Sequence, residues 1–407
     1  MRLQKITATH RYKNVLKLRI AIVSLMGGLP WGGSEALWHA VALHALQQGD
    51  EVFVSVYDWG KPHHKILQLQ TAGATIYYRK KYNANAGAAE KIKRFIKKRK
   101  PAFDRDYQSI INFKPEIVFI SQGDSFDFAI HHRPLYLLLR KHAISYAFVC
   151  HNHVQYSFLP PIEIFPDAVD VFKSALFIFF VSHRQWRLTE RRLAINISNG
   201  VFTWNPLNIK VPTSVLRWPD EAIAQMAIVS NLGGSKGHDT ALEVLSALKW
   251  KERKWILNIY GEGEGKMYLQ ALAAFYGIAH KVIFHGHVDN ILKVWETNHL
   301  LLIPSAGEGL PISLVEAMAC GRLAVVTDVG GNTELIKDHD IGFVAVSPTT
   351  AAFAAAMEST WLQKTQWKQL GQNAFECIKK TVDADPAAKL YNLLSANKNS
   401  HETAVVN

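Results

Sequence analysis

The stretch Leu18–Tyr57, LRIAIVSLMGGLPWGGSEALWHAVALHALQQGDEVFVSVY, decides the architecture. Leu18–Leu25 is a run of apolar and β-branched residues that reads as a strand buried on both faces. Met26–Gly33 (MGGLPWGG) is a glycine-dense turn, and Ser34–Gln48 carries apolar residues at helical spacing. Gly49 closes that helix, and Glu51–Tyr57 (EVFVSVY) begins the next strand. A helix between two such strands argues for a parallel pair with the helix packed on one face.

The alternation continues through strands at Thr75–Tyr78, Ile117–Ser121, Ser145–Cys150 and Phe177–Ser182. Thr203–Asp220, with Pro206, Pro212 and Pro219, breaks it. The pattern restarts with strand Met226–Ser230, loop Asn231–Gly237, helix His238–Leu248 and strand Trp255–Tyr260. Helix Lys266–Tyr276, strands Lys281–His285 and Leu300–Pro304, helix Ile312–Ala319 and strand Leu323–Thr327 follow. The reading is α/β, with two doubly wound Rossmann-like domains: residues 1–205, a linker at 206–220, and residues 221–375. A helical tail at 376–407 is expected to pack back toward the first domain. Ligands of such sheets bind beyond the carboxyl ends of the strands, so the inter-domain cleft is the place to look for chemistry.

Composition narrows the classes further. Apolar residues make up 48% of the 407 and charged residues 20%, which excludes a disordered, collagen-like or coiled-coil chain. Three cysteines, Cys150, Cys320 and Cys377, form neither a disulfide framework nor a zinc signature, so a reducing, cytoplasmic compartment is expected. No apolar run approaches the ~20 residues of a membrane span, and Met1–Tyr12 lacks a signal-peptide core. The net charge of +12 is uneven: residues 1–220 carry +15 and residues 221–407 carry −3.

The densest basic run is Arg79–Lys100, interrupted only by Glu90. Within Glu90–Lys100, Ile92, Phe95 and Ile96 would form one apolar stripe on a cationic helix. Such a helix suits an anionic membrane surface, and equally a solvated helix docked on the core. Nucleic acid fits less well, because interleaved aromatics and a recognisable binding module are missing.

Ser305–Gly321, SAGEGLPISLVEAMACG, follows a strand and opens a helix. Leu310, Ile312 and Ser313 present backbone N–H groups at the helix start, a setting that suits a phosphate. Glu308 and Glu316 flank it. By spacing alone they are a glycosidase-like acid pair, or a cap and a dipole-compensating carboxylate.

This segment, with seven residues between its two glutamates, resembles the signature of retaining glycosyltransferase family 4, of the two-domain GT-B fold. Val325–Ile336 (VVTDVGGNTELI) resembles that family's next segment, and GGSE (Gly32–Glu35), SNGV (Ser198–Val201), KG (Lys236–Gly237) and YGEGEG (Tyr260–Gly265) are weaker matches. The resemblance spans roughly residues 16–345. It implies that Glu308 binds donor-sugar hydroxyls, Glu316 the nucleotide ribose, and Lys236 the donor diphosphate. Gly309, Leu310 and Ile312 would meet the phosphates from the helix start, and Gly32 and Gly33 from the first domain. His151, directly after Ser145–Cys150, matches a histidine found near the transferring sugar. Asn231 stands where the family usually has an arginine, which removes one charge from the diphosphate site.

Trp31 reads either as an acceptor-stacking ring or as a partly buried tryptophan. The GEGEG run ends its glycines too early for a dinucleotide fingerprint. The resemblance implies no essential metal and no cofactor beyond the co-substrate. The expected activity is retaining transfer of a hexosyl-type sugar from a UDP- or GDP-sugar to a glycan or polyprenyl/lipid-linked acceptor, in surface polysaccharide synthesis. The protein would act in the cytoplasm or at the inner face of its membrane. The alternatives are a GT-B hydrolase or epimerase, a non-catalytic nucleotide-sugar binder, and a membrane-surface adaptor.

Overall fold

The computed structural model describes residues 17–80, 103–152, 160–219, 222–336 and 340–396. Seven strands make the first sheet: β1 (Arg19–Ser24), β2 (Glu51–Tyr57), β3 (Thr75–Arg79), β4 (Ile117–Asp124), β5 (Ser145–Asn152), β6 (Ile178–Phe180) and β7 (Gly200–Phe202). Their order is β3-β2-β1-β4-β5-β6-β7. The second sheet holds β8 (Ala224–Val229), β9 (Trp255–Tyr260), β10 (Val282–Gly286), β11 (Leu300–Ile303), β12 (Leu323–Thr327) and β13 (Gly342–Ala345), in the order β10-β9-β8-β11-β12-β13. The strand pairings are parallel in both. β11 and β12 are buried along their whole length, as strands covered by helices on both faces must be.

Each sheet grows outward from its first strand and then switches sides, between β1 and β4 in one domain and between β8 and β11 in the other. Crevices open at such switch points. β1 leads there into the Met26–Gly33 loop, β8 into the loop that carries Lys236, and β11 into the loop that carries Glu308.

The connection between the domains is fastened to the second one. Arg322 is fully buried, donating from Nε to the Trp295 carbonyl (2.7 Å) and from Nη2 to that of Arg217 (2.6 Å). Its guanidinium lies 5.2 Å from the Trp218 ring centroid. Burial lowers its pKa to about 10. Among the described residues, carbonyls and an indole face hold this cation, and no carboxylate is bonded to it.

The helix Pro386–Ala396 returns to the first domain and packs on the helix Glu35–Gln47. There Tyr391 donates to Asp50 Oδ2 (2.6 Å), while Asp50 Oδ1 accepts the Leu18 amide (2.9 Å). One carboxylate thus links the start of β1 to the last described helix. The boundary placed at residue 375 falls inside the continuous helix Trp367–Thr381. Strands β7 and β13, of three and four residues, are too short to show a period and are absent from the sequence reading.

The basic run is corrected at its first member. Arg79 is buried, donates to the Ser24 carbonyl, and stacks 4.5 Å from the Tyr57 ring centroid, so it belongs to the interior and not to a surface patch. Residues 81–100, with the expected amphipathic helix, lie outside the described residues. Among the described residues no helix is long and apolar enough to cross a membrane.

If the last helix is integral to the first domain, truncating its buried Leu390 removes core volume. Leu390→Ala is expected to cost about 2–5 kcal/mol. Urea unfolding would show a lower midpoint; an unchanged midpoint would mean that this helix contributes nothing to the core.

Candidate active site

The loop after β8 turns through Gly234–Lys236, where the Lys236 amide bonds to the Gly233 carbonyl (3.1 Å). The Ser235 carbonyl accepts the amide of Ala306 in the loop after β11 (2.9 Å). The two switch-point loops are therefore joined, and they bring Lys236 Nζ to 2.7 Å from Glu308 Oε1. Both side chains are largely buried, at 21% and 10% exposure. Lysine carries three N–H donors, so two are left for other acceptors beside that carboxylate.

From the first domain, His151 at the end of β5 comes against the same loop. The position of a Cβ on Gly309 would lie 1.9 Å from the His151 carbonyl oxygen, so only glycine fits. His151 is itself buried, with Nε2 3.2 Å from Ser121 Oγ. Burial pushes its pKa down to about 4, against the opposing effect of the Asn205 side chain, so the ring is neutral near pH 7. Gly33 reaches the helix Ile312–Ala319, where a Cβ would sit 3.2 Å from Ile312 Cδ1. Gly32 lies against the Met26 methyl instead. Leu310 is buried beneath Gly331.

Glu316 lies one turn into that helix. Its Oε1 accepts from both the backbone N–H (2.8 Å) and the side-chain amide (3.0 Å) of Asn208, in the connection between the domains. Burial raises its pKa to about 7. Sequence reasoning missed Asn208, which takes one of the two oxygens expected to meet a ribose. No spacing signal marks a residue that acts from a proline-broken connection.

Asn231 uses its amide oxygen on its own loop, accepting the Gly233 N–H at 3.2 Å, and leaves only its NH₂ to face a phosphate. Trp31 stacks on His63 at 4.5 Å between centroids and also contacts Trp38 and His39, which favours the packed reading of this ring. The glycines of Gly261–Gly265 lie against the backbone of Ser230–Leu232, a packing reason for the run. Glu35 also escaped notice as a site residue: it is buried, accepts from Ser24 Oγ at 2.8 Å, and is raised to about pKa 7 by burial.

Residues 220–376 match the family model described as glycosyl transferases group 1. Over that segment the second domain is similar to the group 1 glycosyl transferases. It carries Lys236, Glu308 and Glu316, so the geometry above is that of the matched segment. The chain is 39% identical over 94 residues to an uncharacterized glycosyltransferase of Methanocaldococcus jannaschii, covering 23% of this chain and 24% of that protein. It is 28% identical over 122 residues to N-acetyl-alpha-D-glucosaminyl L-malate synthase of Bacillus anthracis, covering 30% and 32%. The chain spans less than half the length of the curated relatives it matches. Over the whole architecture, HepE of Anabaena in complex with UDP-glucose superposes with a TM-score of 0.70 at 13% identity, covering 93% of this chain and all of that one. The fold is GT-B, with both sheets present in full.

A carboxyl whose native pKa is raised binds its proton more tightly when folded, so stability falls as pH rises from the unfolded value of 4.5 to about 7. Glu316→Gln removes that titration and keeps an oxygen for Asn208. Between pH 5 and 7, wild-type stability in urea is therefore expected to decline relative to the variant. Parallel curves would show that burial does not perturb Glu316.

Proposed function

We propose that the protein is a retaining glycosyltransferase that moves a hexosyl-type sugar from a nucleoside-diphosphate donor to an acceptor hydroxyl. The observation that carries this reading is the Lys236–Glu308 pair at the meeting of the two second-domain loops. It sets a cation, for the charge of a departing diphosphate, beside a carboxylate that accepts hydrogen bonds from sugar hydroxyls. Support for a uridine nucleotide comes from the likeness to HepE, whose structure holds UDP-glucose.

In this reading the bond from the anomeric carbon to the diphosphate breaks, and a bond to the acceptor oxygen forms on the same face. The acceptor's proton passes to the leaving phosphate oxygen. Lys236 offsets the charge that builds there. Glu308 orients the sugar, neutral His151 lines the first-domain side, and Glu316 takes the ribose with its oxygen not claimed by Asn208. The tight packing of Gly309 on His151 keeps water out and favours transfer over hydrolysis. The charge of +15 on residues 1–220 suits an acceptor carrying phosphate, such as a lipid-linked glycan at a membrane face. No metal has a part in this scheme.

Asn231 favours a second reading, a nucleotide-sugar binder that transfers nothing, because its side chain shapes the loop and adds no charge. Thermal shifts with UDP, GDP, ADP and their hexose conjugates, followed by a transfer assay with the stabilising donor, separate the two. Lys236→Ala is expected to lower kcat by about 100-fold with a smaller change in donor KM. An effect on KM alone would remove Lys236 from leaving-group stabilisation. Donor binding without transfer to any acceptor would favour the binder.

A further inference from the structure

The helix His183–Leu193 follows β6 in the first domain, and its leading amides are all bonded. Gln185 N–H donates to Ser182 Oγ at 3.1 Å, the usual local cap. His183 and Arg184 N–H donate at 3.0 and 2.6 Å to the two carboxylate oxygens of Glu334, which lies in the second domain about 150 residues on. A carboxylate on two adjacent amides at the positive end of a helix is a charge-assisted contact. Arg184 adds an ion pair from its Nη1 to Asp328 Oδ1, and Thr333 Oγ1 donates to the same oxygen at 3.2 Å.

Between Asp328 and Glu334 runs the Gly330–Gly331 turn. The Gly331 N–H donates to the Gly309 carbonyl at 2.5 Å. Gly330 has φ +53°, and a Cβ there would lie 2.1 Å from the carbonyl oxygen of Glu308. On its other side Gly331 meets Ser182, where its own Cβ would come 2.9 Å from Ser182 Cβ. The segment anchored by Glu334 therefore lies between the helix start of the first domain and the backbone that presents Glu308.

We infer that Glu334 is a positioning residue, whose grip on the first-domain helix seats the Gly330–Gly331 turn on the Glu308–Gly309 backbone and so fixes Glu308 opposite Lys236. Its catalytic consequence rests on the transfer reading above, whereas the mechanical coupling does not. Glu334 bonds protein amides, and it acts on the donor sugar only through Glu308. Engagement of the two domains and completion of the sugar site are in this way one event.

The experiment is amide hydrogen exchange on the full chain, wild type against Glu334→Ala and Glu334→Gln, with donor kinetics measured in parallel. In Glu334→Ala, exchange is expected to quicken at residues 182–186 and also at residues 305–311. The kcat is expected to fall by about 10–100-fold while donor KM stays within about twofold. Glu334→Gln keeps the shape and one neutral acceptor oxygen, and is expected to fall between the two. Quickening confined to 182–186 would overturn the inference, because the cap would then be local. A loosened 305–311 loop with unchanged kcat would overturn the positioning role. Should the wild type transfer no sugar, the function reading fails, and exchange at 305–311 still decides whether Glu334 holds that loop.

Discussion

The two domains meet backbone to backbone. Gly309 lies against the His151 carbonyl so closely that a methyl group would be 1.9 Å from that oxygen. Backbone is the least adjustable part of a fold, so this contact sets how near the carboxyl ends of the two sheets can come. The features around it follow from that spacing. Gly33 reaches Ile312, Gly331 reaches Ser182, and the leading amides of a first-domain helix fall within reach of a second-domain carboxylate. A side chain in place of Gly309 would wedge the cleft open and separate the elements that the Lys236–Glu308 pair lies between.

The charge in the cleft is economical. Burial holds His151 neutral in one domain and His238 neutral in the other, with pKa values near 4. It raises Glu316 toward neutrality as well. Ion pairs beside the switch points join Lys236 to Glu308 and Arg184 to Asp328. The first pair belongs to the proposed chemistry and the second to the domain contact. A cation in a site of low dielectric acts more strongly on developing negative charge than one in water.

Most of the architecture was legible because buried parallel strands announce themselves. β1, β4, β5, β11 and β12 each contain an unbroken run of at least four apolar residues. β7 and β13 were not legible, since three or four residues cannot display a period. Of the candidate site, the residues within the long motif stand out by their pattern, and the pairing of Glu308 with Lys236 does not, because 72 residues separate them and pattern carries no distance. Asn208 and Glu334 act by fitting one partner in space, Glu316 in one case and a helix end in the other. Nothing in their neighbours records that. Arg79 misled in the opposite direction: as one of a basic run it reads as surface, yet the aromatic rings of Tyr57 and Tyr107 draw it inside.

The two domains also share a device that shows how the fold separates structure from chemistry. In each, the segment leaving the first strand carries a serine whose hydroxyl meets the first residue of the helix that follows. Ser24 Oγ donates to Glu35 at 2.8 Å in the first domain, and Ser230 Oγ lies 3.3 Å from His238 Nε2 in the second. One partner is an acid and the other a base, yet burial drives both toward their uncharged forms, the glutamate up to about 7 and the histidine down to about 4. A bond to a group that burial pushes toward its uncharged form tethers each glycine-bearing loop and limits the charge set in the cleft. The loops can then differ freely in what they present. The first offers glycines and half-buried aromatics, and the second offers Lys236. The asymmetry of the proposed reaction, with a charged donor on one domain and an acceptor on the other, is in this sense laid over two copies of the same scaffold joint.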